Sequence, residues 1–491
     1  MLNIAFTHSY FYPFDEKQWG NKTPFPPLGT LYAASLLREN KYKVSLFDTS
    51  LLHNINGLPA FLEKEKPDIF VVYDDGFNYL TKMCLTNMRE AAFEMIQLAK
   101  AKNCKIAVCS SDATDHYEKY INAGADFVIQ GEGEVTLKAL IDSIQKGENT
   151  TQISGIVYKN SEGVITKNPK RAVYTSLDDF PLPAWDLVDI ESYKNIWKQG
   201  GNRFTLNLAT TRGCPFKCNW CAKPIYGNRY NSHSPTYIVK HIQLVKEKFG
   251  VTKFWMCDDI FGLKPNWVQE FNVLLKEADL KIEYYIQSRA DLLLKEDNIE
   301  ALAESGLTEV WIGAESGSQK ILDAMDKGTT IAQIEESTRL LKEKGVKVAF
   351  FIQYGYLNET KEDINLTIKM IQDLLPDNIG VSVSYPLPET PFYEKVKEDL
   401  KVKANWTDSD DLAMMFKGTF NSEFYRKLQR YTHKIFRRSQ GISFIKKIFK
   451  TPFLLQKHEL RLIALLPYYT ITSTIQGWQL KKLENTNEAI R

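Results

Sequence analysis

Short apolar runs alternate with amphipathic stretches through most of the first 400 residues, and this alternation restricts the fold more than any other feature of the chain. In 2–146 the runs fall at 3–7, 43–48, 68–73, 105–109 and 126–129. The stretches between them, such as 29–39 and 88–102, carry apolar residues at the three- and four-residue spacing of a helix face. Repetition of this kind implies right-handed crossovers and a parallel sheet covered on both faces. Five strands fit a flavodoxin-like (Rossmann-type) α/β sheet, whose ligand sits beyond the carboxyl ends of the strands at the switch point.

Residues 151–200 break the rhythm. GIVYKNSEGVITKN reads as a hairpin turning at 161–163, and FPLPAWDLVD as a proline-bearing connector. Six further strands are expected at 204–210, 253–257, 282–287, 309–313, 347–353 and 379–385. Six βα units fall short of a closed eightfold barrel, so a partial (β/α)6 barrel follows, with its chemistry at the carboxyl ends of the strands. The expected division is an α/β domain at 1–150, a hairpin and linker at 151–200, the partial barrel at 201–400 and a helical region at 401–491.

Charge and cysteine usage narrow the class. With 62 Lys+Arg against 60 Asp+Glu there is no global pull toward nucleic acid, and none is expected as a partner. No apolar run is long enough for a spanning helix, and MLNIAFTHSY reads as a first buried strand rather than a signal peptide. Seven cysteines, an odd number, point to reduced thiols in the cytoplasm.

Three of those cysteines, Cys214, Cys218 and Cys221, lie in TTRGCPFKCNWCAKP just after the first barrel strand. Thiolates are soft ligands suited to zinc or to an iron–sulfur cluster. Zinc would lack a fourth protein ligand here, whereas three ligands on a four-iron cluster leave one iron open to a small chelating molecule.

At these residues the sequence resembles the radical S-adenosylmethionine (SAM) enzymes, whose Cys-x3-Cys-x-aromatic-Cys motif it matches with Trp220 as the aromatic. The resemblance implies a 4Fe–4S cluster on Cys214, Cys218 and Cys221, with SAM on the open iron as the source of a 5′-deoxyadenosyl radical. It extends along the later strands. Asp258 and Asp259 in FWMCDDIF stand where many members have Gly-Gly-Glu, and would accept hydrogen bonds from the SAM ammonium. Arg289 in IQSRAD matches an arginine that meets the SAM carboxylate. Glu315 and Ser316 in VWIGAESGSQKILDAMDKG match the fourth-strand SAM motif. Two loops depart from the pattern: Leu357–Asn358 replace a Pro-Gly, and Glu389 stands where relatives often have glycine.

The first domain resembles the cobalamin-binding domain of cobalamin-dependent radical SAM enzymes, through PPLGTLYAASLLREN, FDTS and ADFVIQGEGEVTLKALI. The similarity spans roughly 1–400 and includes the FPLPAWDLVD connector. It implies cobalamin contacts at Gly29, Asp48, Ser110, Ser111, Gly131, Glu132 and Gly133. Capping and turn formation would also explain these residues: Gly131 and Gly133 permit close backbone approach, Gly29 opens a helix, and Glu132 or Glu134 suits a helix cap. Cys109-Ser110-Ser111-Asp112 replaces the usual Gly-Gly-x-His segment, and no Asp-x-His-x-x-Gly string is present, so cobalt is expected to have no histidine ligand, His116 included.

The leading expectation is a cobalamin-dependent radical SAM methyltransferase acting on a carbon of a small-molecule substrate, with an electron donor such as flavodoxin or ferredoxin. A ring-forming cyclase without methyl transfer and a non-enzymatic cobalamin or iron–sulfur sensor are the alternatives. The tail adds one more reading. Residues 421–491 hold 14 Lys+Arg and 4 Asp+Glu, and 445–466 combines Lys446, Lys447, Lys450, Lys457 and Arg461 with Phe449, Phe453, Leu454, Leu455, Leu462 and Ile463. That pattern fits either a cap on the barrel or a basic amphipathic helix on a membrane surface, the latter with a lipid-like substrate.

Overall fold

The computed structural model describes residues 2–223, 225–400, 405–450 and 456–488, with backbone only at 449–450 and 485–488. The first sheet begins with β1 (Asn3–Thr7), β2 (Lys43–Phe47), β3 (Ile69–Tyr73), β4 (Lys105–Cys109) and β5 (Phe127–Ile129). These are parallel in the order β2-β1-β3-β4-β5, the flavodoxin-like order. Ile4, Phe6, Phe70, Val71 and Val108 are wholly buried, which is why these strands read as unbroken apolar runs. The switch point lies between β1 and β3.

The expected hairpin forms, as β6 (Ile156–Lys159) and β7 (Ile165–Lys167), turning at Gly163 with φ of 80°. It does not stand apart as a linker. β6 pairs antiparallel with β5, Ile156 opposite Ile129, so the hairpin extends the first sheet to seven strands.

The second sheet consists of β8 (Leu206–Leu208), β11 (Lys253–Met256), β12 (Glu283–Ser288), β13 (Leu307–Glu315), β14 (Lys347–Tyr354) and β15 (Asn378–Val383). All are parallel and follow one another in chain order, with β8 and β15 as the two edges: a partial barrel. Between β8 and β11 a small antiparallel pair, β9 (Thr211–Arg212) and β10 (Asn231–Ser232), brackets the cysteine segment.

The connector welds the two sheets together. Trp185 is buried and its indole N–H donates to His241 Nε2 at 2.7 Å, while Trp197 donates to the Pro24 carbonyl at 2.7 Å and Asn207 to that of Pro26 at 3.0 Å. Beyond the barrel lie three helices, Ser422–Lys450, Lys457–Ala464 and Leu466–Glu488. The basic helix expected over 445–466 is therefore not a single helix. Lys446 and Lys447 end the first helix, Lys457, Arg461, Leu462 and Ile463 belong to the second, and Pro467 opens the third. Phe453, Leu454 and Leu455 lie outside the described residues, as do the side chains of Phe449 and Lys450. No helix among the described residues is long and apolar enough to cross a membrane.

Candidate active site

The cysteine segment leaves the barrel at Gly213, whose φ is 79° and where a Cβ would sit 2.4 Å from the Arg229 carbonyl, so only glycine makes this turn. Asp258 holds the start of the segment. Its buried carboxylate accepts from Thr210 N and Thr211 N at 2.7 Å and from Thr210 Oγ1 at 2.5 Å, and burial pushes it up to about 7. Asp258 was expected to meet the SAM ammonium, but its oxygens are already engaged with this backbone.

Asn219 pins the middle of the segment. Its side chain donates to the Ala324 carbonyl and to Asp326 Oδ2, both at 2.8 Å, and accepts from Tyr356 OH at 2.7 Å. Its own carbonyl accepts from Phe392 N at 2.9 Å. Loops following β13, β14 and β15 thus hold the cysteines at the barrel mouth. Burial raises the Cys214 thiol and pushes that of Cys221 up to about 12. The neighbouring cysteines and Asp259 add to the effect and Lys223 opposes it. Among the described residues, no three His, Cys, Asp or Glu side chains converge as the ligands of a single ion would.

Arg289, at the end of β12, lies against this segment. Its Nη1 is 3.9 Å from Cys218 Sγ and donates to the Lys327 carbonyl at 2.6 Å, and its guanidinium sits 3.8 Å from the Phe216 ring centre. At the end of β13 Glu315 adopts a left-handed φ of 56°, and Lys327 Nζ donates to its Oε1 at 2.8 Å. The Lys327 ammonium is in turn 6.0 Å from the ring of Trp220, whose buried indole N–H has no partner. Asp259 pairs with Lys82 of the first domain. Ser316 is wholly buried, bonded to Thr367 Oγ1 at 3.1 Å and accepting from Ser318 N, which makes it part of the turn rather than an exposed contact.

In the first domain the expected cobalamin residues divide. Gly29 and Leu28 donate their backbone N–H groups to Asp75, at 3.0 and 3.2 Å, so a carboxylate of this chain already caps that helix. Asp48 is bonded to His8 Nε2 at 2.9 Å and accepts from Tyr193 OH at 2.7 Å. Ser110 caps a short helix by accepting from Ala113 N at 2.8 Å, while the buried Ser111 hydroxyl has no partner. After β5, Gly131 has a φ of 74°, and a Cβ on Gly133 would lie 2.4 Å from Cys109 Sγ and 2.8 Å from the Tyr73 ring. Glu132 was expected to contact cobalamin, with helix capping by it or Glu134 as the alternative. Instead it accepts from Arg212 Nη1 and from Tyr174 N, each at 2.5 Å, and Arg212 Nη2 reaches Glu134 at 3.0 Å.

A cavity of about 770 Å³ lies where these two sets meet. Gln130, Gly131 and Glu132 line one wall, Cys218 and Cys221 another, and Glu389 the rim. Both ends of the Gln130 amide are buried without a partner. Glu389 has a φ of 60°, a left-handed conformation that glycine adopts without strain, and pairs with Lys170 at 3.0 Å. Sequence reasoning missed Arg212, Lys327, Lys82 and Gln130. Arg212, Lys327 and Gln130 all stand inside motifs that were read; the partner of Arg212 is distant in sequence, and nothing in the spacing marked Lys327 as the partner of Glu315 or Gln130 as buried, while Lys82 lies outside the motifs.

Comparison with known proteins agrees with this geometry. Residues 208–371 match the radical SAM superfamily. An uncharacterized methyltransferase of Pyrococcus horikoshii is 27% identical over 83% of this chain and 87% of its own length. The anaerobic magnesium-protoporphyrin IX monomethyl ester cyclase of Rubrivivax gelatinosus is 24% identical over 82% and 71%. Among solved structures, the cobalamin-dependent SAM radical enzyme OxsB, with aqua-cobalamin and SAM bound, superposes with a TM-score of 0.72 at 20% identity, covering 98% of this chain and 72% of that one. Residues 208–371 therefore form a radical SAM domain. The two-part α/β fold of the chain is that of the cobalamin-dependent SAM radical enzyme OxsB.

Proposed function

We propose that this enzyme is a cobalamin-dependent radical SAM methyltransferase that methylates a carbon of a small-molecule substrate. The observation that carries the reading is the shared cavity: the cysteine segment and the loop after β5 face one space, so two cofactors held by different domains would meet over one substrate.

The residues fit such groups. Three thiols without a fourth protein ligand suit a 4Fe–4S cluster with one open iron, on Cys214, Cys218 and Cys221. The unpartnered Gln130 amide, Ser111 hydroxyl and Trp220 indole N–H are buried donors and acceptors that a large polar ligand would satisfy. Cobalamin would rest on Gln130, Gly131 and Gly133, with Ser110 and Ser111 behind; SAM would lie among Arg289, Glu315, Asp259 and Trp220. Bound there, the cluster with SAM supplies an adenosyl radical, and cobalamin supplies the methyl group.

The protein's own part is positioning and shielding. Arg289 and Lys327 set positive charge beside Cys218. The buried Arg212–Glu132 pair fixes the cysteine segment against the loop after β5. The buried Tyr226 gives the cavity an apolar wall, and the Phe216 ring covers the Arg289 guanidinium. A small reductant protein of the flavodoxin or ferredoxin kind would deliver electrons, with the exposed Lys217 beside Cys218 as a contact for its acidic surface. Seven reduced cysteines suit the reducing cytoplasm.

Similarity to the cyclase favours one second reading, ring formation without methyl transfer. Anaerobic turnover with methyl-deuterated SAM separates the two. Product carrying the labelled methyl group supports methylation; product that has lost hydrogen and gained no label supports the cyclase.

A further inference from the structure

The last helix, Leu466–Glu488, turns a row of large apolar side chains outward. Tyr468 is 52% exposed, Ile471 60%, Ile475 45% and Trp478 70%. Their spacing of three, four and three residues puts them on one face of the helix. The opposite face is the packed one: Ser473 and Leu480 are buried, and a Cβ on Gly477 would lie 3.5 Å from the Tyr431 ring of the first tail helix. The row is therefore not core left over from packing, and single exposed apolar residues do not fall into such a line by chance as readily as onto scattered positions.

Cations flank the row. Lys434 of the neighbouring helix sits 4.5 Å from the Tyr468 ring centre and donates to its hydroxyl at 3.1 Å. Lys427 of the same helix reaches Gln479 beside Trp478 at 3.5 Å, and the exposed Lys481 lies one turn beyond Trp478. Lys427 is itself paired with Glu423 at 3.4 Å, whereas Lys434 and Lys481 have no acidic partner among the described residues of the tail. Of the four acidic residues in 421–491, Glu423, Glu459 and Glu484 pair with Lys427, Lys447 and Lys361, and Glu488 lies beyond the described side chains. Against these stand 14 Lys+Arg in the same segment.

We propose that this face is a docking surface for an anionic lipid bilayer, with the Tyr468–Trp478 row seated at the headgroup boundary and the flanking lysines on lipid phosphates. Tyrosine and tryptophan suit that boundary because each joins an apolar ring to a hydrogen-bonding tip. Basic residues near a charged leaflet add attraction that salt screens. A protein partner would need an acidic rim around an apolar groove to match the same face; a bilayer supplies both features without shape complementarity. The inference is independent of the chemistry in the cavity.

The test uses the full chain, sedimented with phosphatidylcholine vesicles that do or do not contain one-third phosphatidylserine. The wild type should sediment with the anionic vesicles at low salt, less at high salt, and little with neutral ones. Ile471→Ser with Trp478→Ser should weaken binding about ten-fold or more through lost apolar insertion, and Lys481→Glu should weaken it and reduce its salt dependence. Neither change touches the core, so circular dichroism and iron loading should be unaffected. Equal binding to both vesicle types, or none to either, overturns the proposal. Self-association by light scattering that the double variant abolishes, without vesicle binding, would assign the face to a second copy of the chain instead.

Discussion

Arg212, two residues before Cys214, donates to Glu132 of the other domain at 2.5 Å with both side chains almost fully buried. The guanidinium also meets Glu134 at 3.0 Å and packs 4.5 Å from the Phe180 ring centre, so one cation serves two carboxylates across the domain boundary. This contact sets the distance between the cysteine segment and the loop after β5.

Arg212→Gln should therefore lower stability by about 3–5 kcal/mol, because two carboxylates would be left buried and unpaired. Denaturant unfolding measures this. Adding Glu132→Gln and Glu134→Gln to that variant should recover part of the loss, which a simple packing defect would not allow.

How much of this was legible in the sequence follows from where the partners lie. β1 and β4 fall at the expected residues, and the others within a few, because buried parallel strands are continuous apolar runs bounded by turn signals. The three cysteines were legible because their spacing is local. Asp258, Gly29 and Asp48 were placed in ligand contacts, yet each is bonded to residues of this chain far away in sequence, Thr210, Asp75 and Tyr193 among them. Spacing along a chain cannot tell a carboxylate that awaits a ligand from one that holds a loop. The hairpin after 151 was recognised, but its pairing with β5 was not, since a proline-rich connector follows and nothing local marks the edge it joins.

Glu359 gives the fold a pH dependence. It follows β14, accepts from Gly355 N at 2.6 Å, and has its other oxygen buried without a partner. Burial pushes its carboxyl up to about 8 from 4.5. The folded state then holds the proton that the unfolded state releases, so this contribution is complete below about pH 4.5 and is lost as pH rises through about 8. Glu359→Gln should stabilise the protein at pH 8 and flatten the slope between those values.

Gly133→Ala should destabilise by about 1–3 kcal/mol, since the methyl group would overlap Cys109 Sγ and the Tyr73 ring. On the proposed reading, cobalamin uptake, followed by absorbance after gel filtration, should fall as well because the loop after β5 must shift.

Glu389→Gly should do the opposite to stability. It relieves a left-handed backbone at a residue whose ion pair with Lys170 is exposed, and a gain of about 1 kcal/mol is expected. Thermal unfolding reads this gain, and a change in substrate preference without loss of SAM cleavage would mark the rim as a specificity element.

The most direct test of the account is formation of 5′-deoxyadenosine by the anaerobically reconstituted, reduced protein, compared with the variant carrying Cys214→Ala, Cys218→Ala and Cys221→Ala. The wild type should bind a 4Fe–4S cluster and cleave SAM, and the triple variant should retain its fold but show neither iron absorbance nor cleavage. Cleavage of SAM that persists in the triple variant would contradict the assignment of these three cysteines to the cluster and, with it, the radical chemistry proposed for the cavity.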